Sequence, residues 1–364
     1  MRRLLIVLLA VAATARADSI EDRLKKLEDE VAALKAENEQ LRRDLGVEVV
    51  ARQADVKAGG SAESLQFGGL IQVQGEAGDR ADSRFSSANS RVFLRRARIN
   101  VGGRFVEEFN FRAELELAGS LADTTGLRAQ LTDAYLNWNR FDAANIRVGQ
   151  FKTPFGFEQL YADPKLYTIE RSMASDRLTP GRQIGVQVGG DAWYERISYA
   201  AGIFNGNGTN SNFNDNDRFL TAGRFSVVPF SGRLFDNPAR WSAGVDGFRT
   251  ADSNATFNGR RRGFGVDTEV EVGRLELWAE ALRTTFDPKI GASSRSSGRY
   301  AQAAFYLLPE RLQVVGRHES LDAGRESTLG VNYYFRQHDL KLQIDMLRAA
   351  NDQKKILARL QTVF

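Results

Sequence analysis

Cysteine is absent from the 364 residues, and histidine occurs only twice. The first absence removes any disulfide scaffold, any thiolate metal site and any cysteine nucleophile. Net charge is nearly absent too, at a formal +4. So balanced a chain has no bulk field for a polyanion, which excludes nucleic acid as a partner and leaves charge preference to placement. Beyond residue 13 no apolar run approaches the roughly 20 residues that a membrane-spanning helix needs. A chain of this kind can enter a membrane only as a closed barrel, because helices and barrels alone satisfy every backbone polar group in lipid.

The one long apolar run opens the sequence: "MRRLLIVLLAVAATARADS". Arg2 and Arg3 form a basic start, Leu4–Ala13 an apolar stretch, and Ala15-Arg16-Ala17 a small-x-small cleavage site. Residues 1–17 therefore read as a secretory signal peptide, too short in its apolar part for an anchor. The twin arginines lack the rest of a twin-arginine signal, so ordinary export is expected. Removing Arg2, Arg3 and Arg16 takes the charge from +4 to +1.

Residues 18–46 carry a different rhythm. Ile20, Leu24, Leu27, Val31, Leu34, Asn38, Leu41 and Leu45 are spaced alternately four and three apart, a heptad seam. With Leu24, Val31 and Asn38 at position a, Leu27, Leu34 and Leu41 fall at d, and Glu30 and Glu37 face Lys35 and Arg42 across g and e. The spacing predicts a short coiled-coil helix in an oligomer; a lone amphipathic helix is the alternative. At three heptads it is marginal by itself and would assist an assembly held elsewhere. Residues 47–64 read as a linker.

From 65 to 364 the period is two. In "FNFRAELEL", Phe109, Phe111, Ala113, Leu115 and Leu117 alternate with Asn110, Arg112, Glu114 and Glu116. On a strand these fall on opposite faces, one oily and one ionic. Sixteen such strands are predicted, at 65–76, 91–103, 108–118, 127–139, 145–151, 182–190, 194–204, 218–229, 240–249, 263–272, 274–284, 298–308, 311–319, 325–335, 339–348 and 354–364. Connections after even-numbered strands are mostly short, whereas those after odd-numbered strands, such as "NGNGTNSNFNDND" and "ADSNATFNGRRR", are long and polar. Sorting by parity is the layout of an outer-membrane barrel, with turns on one side and extracellular loops on the other. The expected fold is all-β: a sixteen-stranded antiparallel transmembrane β-barrel, porin-like, preceded by the coiled-coil helix. The final strand alternates Ile356, Ala358, Leu360, Thr362 and Phe364 outward. A terminal aromatic there resembles the signal read by the barrel assembly machinery.

Several stretches together resemble the phosphate-selective porin O/P family: "VFLRRARINVGGRF" (92–105), "LTDAYLNW" (131–138), "IRVGQFKTPFGFE" (146–158) and "IERSMASDRLTPGRQIGVQVGG" (169–190). "GIFNGNG" (202–208), "LGVNYYF" (329–335) and "LARLQTVF" (357–364) extend the resemblance over the barrel. It implies a homotrimeric sixteen-stranded channel, in some members headed by a coiled coil, with an arginine-lined pore. This barrel is poorer in lysine than the phosphate-specific members.

Parity sorts the cations. With Phe93, Ala97, Ile99 and Val101 outward, Arg96, Arg98 and Asn100 face the lumen, and Arg95 falls outside at a headgroup or protomer contact. Arg112, Arg147, Arg224, Arg317 and Arg359 also fall inside. Carboxylates share the inner parity at Glu114, Glu116, Asp133, Asp267, Glu269, Glu280 and Asp345, so ion pairing competes with an anion-attracting role. The longest connection, 152–181, is rich in packable residues and is expected to fold into the pore as a constriction loop, with Lys152, Lys165, Arg171, Arg177 and Arg182 in its lining; an outward lid is the alternative. "GRRRG" at 259–263 suits lipid phosphates, and lipopolysaccharide with them, better than transport. His318 and His338 have no partners that suggest a metal or hydrolytic centre, so neither enzyme chemistry nor a cofactor is expected.

The function expected is passive diffusion of small anions, phosphate the leading candidate, across the bacterial outer membrane. A weakly selective general porin and a structural envelope-tethering protein are the alternatives.

Overall fold

The computed structural model describes residues 62–81, 84–85, 90–119, 127–254 and 257–364, together with Lys25. The chain divides into two units, 1–53 and 54–364. The signal peptide, the coiled-coil seam of Leu24, Leu27, Val31, Leu34, Asn38 and Leu41, and nearly all of the linker lie outside the described residues.

The second unit is a closed antiparallel barrel of sixteen strands, each paired with its sequence neighbours and β1 closing on β16. The strands are β1 (Ala62–Gly78), β2 (Ser90–Phe105), β3 (Phe109–Glu116), β4 (Gln130–Phe141), β5 (Ala144–Lys152), β6 (Arg182–Ala192), β7 (Ile197–Phe204) and β8 (Leu220–Leu234). The second half comprises β9 (Asn237–Ser253), β10 (Asn258–Val272), β11 (Leu275–Pro288), β12 (Ser294–Leu308), β13 (Leu312–Leu321), β14 (Gly324–Arg336), β15 (Leu340–Ala349) and β16 (Lys354–Val363). The number and order agree with the sequence; several lengths do not. Residues 230–239, left between the eighth and ninth predicted strands, are not an extended turn, since β8 and β9 run through them to Phe235 and Asp236, which have φ of 48° and 62°. Positive φ at both central residues is what a two-residue hairpin turn matching strand twist requires. Likewise β9 and β10 extend through "ADSNATFNGRRR" to 253 and from 258. The long connections are thereby concentrated between β1 and β8, at 79–89, 117–129, 153–181 and 205–219, while β13 and β14 are joined by residues 322–323 alone.

Alternation decides the two faces. Outward residues such as Ile203, Phe264, Leu329, Met346 and Ile356 are half exposed, while their chain neighbours Phe204, Gly265, Gly330, Leu347 and Leu357 are buried inside. An exposed apolar belt around a closed barrel has lipid as its solvent. Phe364 continues the outward row, and its backbone bonds Gly69 in both directions. A Cβ on Gly69 would overlap the Phe364 ring, so glycine is what lets the aromatic lie over β1.

Parity fails at one bulge. Gln72 pairs with Arg96 and Val73 with Leu94, so Arg95 has no partner of its own. An extra residue in one strand re-aims its side chain and reverses the faces on either side. Arg95 therefore points inward, not to the headgroups, and bonds Glu170 at 2.8 Å and 2.9 Å. Phe93 is inward too, packed with Phe85, Ile169, Leu347 and Leu357.

Candidate functional site

The connection 153–181 lies inside the barrel, which excludes the outward lid. It carries α1 (Phe157–Leu160), a single 3-10 turn (Asp163–Lys165) and α2 (Met173–Leu178). Its apolar side chains pair with inner-facing apolar residues of the wall: Phe155 with Phe248, Met173 and Leu178 in the cluster of Phe204, Leu220 and Leu282, and Tyr167 with Trp278 and Tyr300. Phe155 and Ile169 are fully buried. Each such residue contributes roughly 1.5–3 kcal/mol, so the segment is docked by burial before any polar bond is considered.

The polar bonds are distributed with a regular step. Asp246 on β9 accepts from the Gly156 N–H at 3.0 Å, and Glu280 on β11 from Phe157 at 2.6 Å. Glu319 on β13 accepts from Met173 at 2.5 Å, and Asp345 on β15 from Ile169 at 2.7 Å. Alternate strands thus present carboxylates to loop amides that no secondary structure satisfies. Cations hold the loop carbonyls: Arg317 donates to Glu170 O at 2.8 Å and Thr168 Oγ1 at 2.6 Å, and Lys341 to Leu166 O at 2.7 Å.

Two loop carboxylates gather most of the remaining arginines. Asp163 pairs with Arg96 at 3.1 Å, Arg98 at 2.7 Å and Arg171 at 2.5 Å. Glu170 pairs with Arg95 at 2.8 Å and Arg359 at 2.5 Å. Burial alone would raise both acids, but the guanidinium groups outweigh it and hold both well below the usual carboxylate range.

What remains open is a cavity of about 670 Å³, bordered mainly by β1–β8 and by the loop from Pro154 to Pro164. Arg98, Arg112, Arg147, Lys152, Arg182 and Arg224 line it, as do Glu114, Asp133, Asp163 and Asp191. Four of the cations are spoken for. Arg98 bonds Glu116 and Asp163; Arg112 meets Glu114 at 2.6 Å; Arg182 bonds Asp133 at 2.8 Å; and Arg224 bridges Asp246 and Asp267, each at 2.6 Å. Arg147 and Lys152 differ. Arg147 lies over the rings of Tyr135 and Phe151, at 4.6 Å and 5.4 Å. Lys152 donates to Tyr161 O at 2.9 Å. Among the described residues neither has a carboxylate within ion-pair distance.

The cations predicted to line the pore therefore separate. Arg112, Arg147, Lys152, Arg182 and Arg224 border the open cavity, with Arg98 at its edge against the loop. Arg96, Arg317 and Arg359 are buried where the loop meets the wall, Arg171 is spent within the loop, and Arg177 is exposed on α2. Asp163, Glu170 and the Tyr135–Phe151 pair escaped the sequence reading. The legible signal was the amide-rich inner face of Gln72, Gln74, Gln343 and Gln361, all buried, since an amide offers donor and acceptor together to an incoming backbone.

The family described as phosphate-selective porin O and P matches residues 68–236. Over those residues, which run from β1 to the β8–β9 turn, the chain is similar to that family. The fold is shared with solved porins at low identity. An anion-selective porin from Comamonas acidovorans aligns with a TM-score of 0.60 at 12% identity, covering 83% of this chain and 99% of that one. Salmonella typhi OmpF in complex with daunomycin gives 0.57 at 11%, over 84% and 98%. The trimer form of Vibrio cholerae OmpT gives 0.53 at 9%, over 83% and 99%. No curated protein sequence matches the chain. Family, closed sixteen-stranded barrel and lipid-facing belt together make this porin an outer-membrane channel for small solutes.

Proposed function

We propose that this porin passes small anions, phosphate among them, by passive diffusion through an arginine-bordered lumen. Arg147 and Lys152 supply its preference. The observation that carries the reading is their unpaired charge within a cavity where the other cations are matched to carboxylates. A unit charge about 5 Å from a passing ion is worth roughly 1–3 kcal/mol between bulk-water and protein-surface dielectric values, whereas a paired charge presents only a dipole. An unmatched cation, Arg147 above all, therefore counts for more than a matched one. The Tyr135 and Phe151 rings hold the Arg147 guanidinium broadside without neutralising it.

The aromatic-backed cation also leaves guanidinium N–H groups free for an oxyanion, which supports phosphate-like solutes over halide alone. A homotrimer is the proposed assembly, with OmpT's trimer form as a structural relative. Phe364, outward at the end of the β16 row, is the proposed contact for the barrel assembly machinery.

Reversal potential in a salt gradient across a planar bilayer tests the reading. Wild type is expected to be anion-selective, with conductance in chloride falling as phosphate is added. A reversal potential at zero would favour the weakly selective general porin, which the four ion pairs in the cavity support. Absence of conductance from correctly folded protein would leave the envelope-tethering reading.

A further inference from the structure

"GRRRG" does not act as one basic triplet. Arg261 turns inward and bonds Asp252 at 2.6 Å and 2.7 Å, whereas Arg260 and Arg262 are exposed on the outward face. Below them on that face of β10 come Phe264, 56% exposed, and Val266, 42% exposed. The strand therefore passes from charged to apolar where headgroups give way to acyl chains. Arg262 is register partner of Arg249 on β9, itself outward and exposed. Directly opposed like charges on neighbouring strands repel and destabilise a sheet. Arg218 joins them around a cavity of about 450 Å³ in which Asp287, the register partner of Arg260 on β11, is the one lining carboxylate among the described residues. Among the described residues, none of Arg218, Arg249, Arg260 and Arg262 has a carboxylate within ion-pair distance, although Asp287 stands opposite Arg260 in the register.

A second cavity adjoins the first through Arg249. It is an outer-face groove of about 680 Å³ lined by Val186, Val188, Ala201, Ile203, Gly223 and Gly247, among others. No backbone conformation demands glycine at 223 or 247. A Cβ on Gly247 would meet nothing nearer than Gly263 O at 3.6 Å, and one on Gly223 nothing nearer than Ala200 O at 3.4 Å. Glycine weakens a strand interior. Its cost here leaves the groove empty for something else.

We propose that this surface binds one phosphorylated lipid of the outer leaflet. Its phosphate sits between Arg249 and Arg262, with Arg218 and Arg260 flanking it. Its acyl chain lies along the groove past Gly223 and Gly247. The phosphate cancels the cross-strand repulsion, and Arg249 is oriented for it by its Nε–H donated to Thr221 Oγ1 at 3.1 Å. A compact dianion suits opposed guanidinium forks, and a hydrocarbon chain suits an apolar furrow.

The test is lipid retention by the detergent-extracted full chain, read by native mass spectrometry. The probes are a bisphosphorylated lipid A and its dephosphorylated form. Wild type should retain the phosphorylated probe preferentially. Arg249→Gln with Arg262→Gln should lower retention about thirtyfold, as expected for two arginines at about 1 kcal/mol each near a membrane surface. Gly247→Leu should lower it about threefold with the arginines intact. Heat-modifiable migration checks that each variant is folded. Conductance and reversal potential should stay at wild-type values, because these residues face away from the lumen. Equal retention by wild type and both variants would overturn the proposal. So would displacement by millimolar inorganic phosphate combined with normal retention in Gly247→Leu, which marks a free-anion site. Loss of oligomer in Gly247→Leu at unchanged retention would assign the groove to a second copy and overturn it equally.

Discussion

The two halves of this barrel put the same residue types to opposite uses. Along β9–β16, inward carboxylates and cations bind the backbone and acids of the segment 153–181, and space is filled. Along β3–β8 the inward cations Arg112, Arg147, Lys152, Arg182 and Arg224 border water-accessible space, and ions can approach them. Arg317 and Arg147 are both inward arginines on alternating strands. Arg317 is 4% exposed with loop atoms on its guanidinium; Arg147 lies over two aromatic rings. What an arginine contributes is set less by which way it points than by what already occupies the space there.

The largest effect should come from breaking the filled half. Glu170→Gln leaves Arg95 and Arg359 buried with their shared acid neutralised. Removing one member of a buried pair costs about 3–5 kcal/mol. Single-channel conductance is expected to rise as the loop loosens, and thermal unfolding to begin earlier. Unchanged conductance and stability would mean that burial alone holds the loop.

Next comes the open half. Arg147→Glu reverses an unmatched charge, so the anion-to-cation permeability ratio should fall about fivefold or more, by the same 1–3 kcal/mol estimate. A reversal potential equal to wild type would remove Arg147 from the ion path. Arg112→Glu sharpens the contrast. Arg112 already faces Glu114, so its reversal should move permeability toward cations by less than Arg147→Glu does. If Arg112 proves the larger, pairing is not what distinguishes these cations.

The smallest effect is in acid. Asp163 and Glu170 are held well below the unfolded carboxylate values of about 4. A depressed folded pKa gives stability that is present above the unfolded pKa and lost only as pH falls through the folded one. Asp163 and Glu170 should therefore contribute no step in conductance between pH 7 and about pH 4, so the pH profile there should be the same in wild type and Glu170→Gln. A step near pH 4 present in wild type and absent from Glu170→Gln would place that carboxylate in ordinary solvent.

Much of the architecture could be read without coordinates. Period two gave the strands, because side chains of a pleated ribbon alternate by geometry, and the apolar parity marked the lipid face. Boundaries slipped where polar residues continue a strand beyond the lipid belt, as at Asn258–Arg262, since above the membrane both faces are wet and alternation fades. Arg95 and Phe93 were put on the wrong face because a bulge adds one residue, and nothing in "VFLRRAR" marks where the pairing slips. Of the site, the inward direction of Arg112, Arg147 and Arg224 was legible; the partners that neutralise Arg112 and Arg224 were not.

The sequence alone determined that this chain forms strands, which face meets lipid, and that the segment after β5 contains enough apolar residues to pack. Those are local properties, fixed by the two-residue repeat and by side-chain solubility. The tertiary structure alone decided which lumenal charges remain available to a solute. That depends on where the 29-residue segment 153–181 docks, through contacts such as Glu170 with Arg95 and Arg359, which join residues far apart in the chain. Where the loop occupies the bore, the inward charges are engaged by loop atoms, and selectivity falls to the part left open.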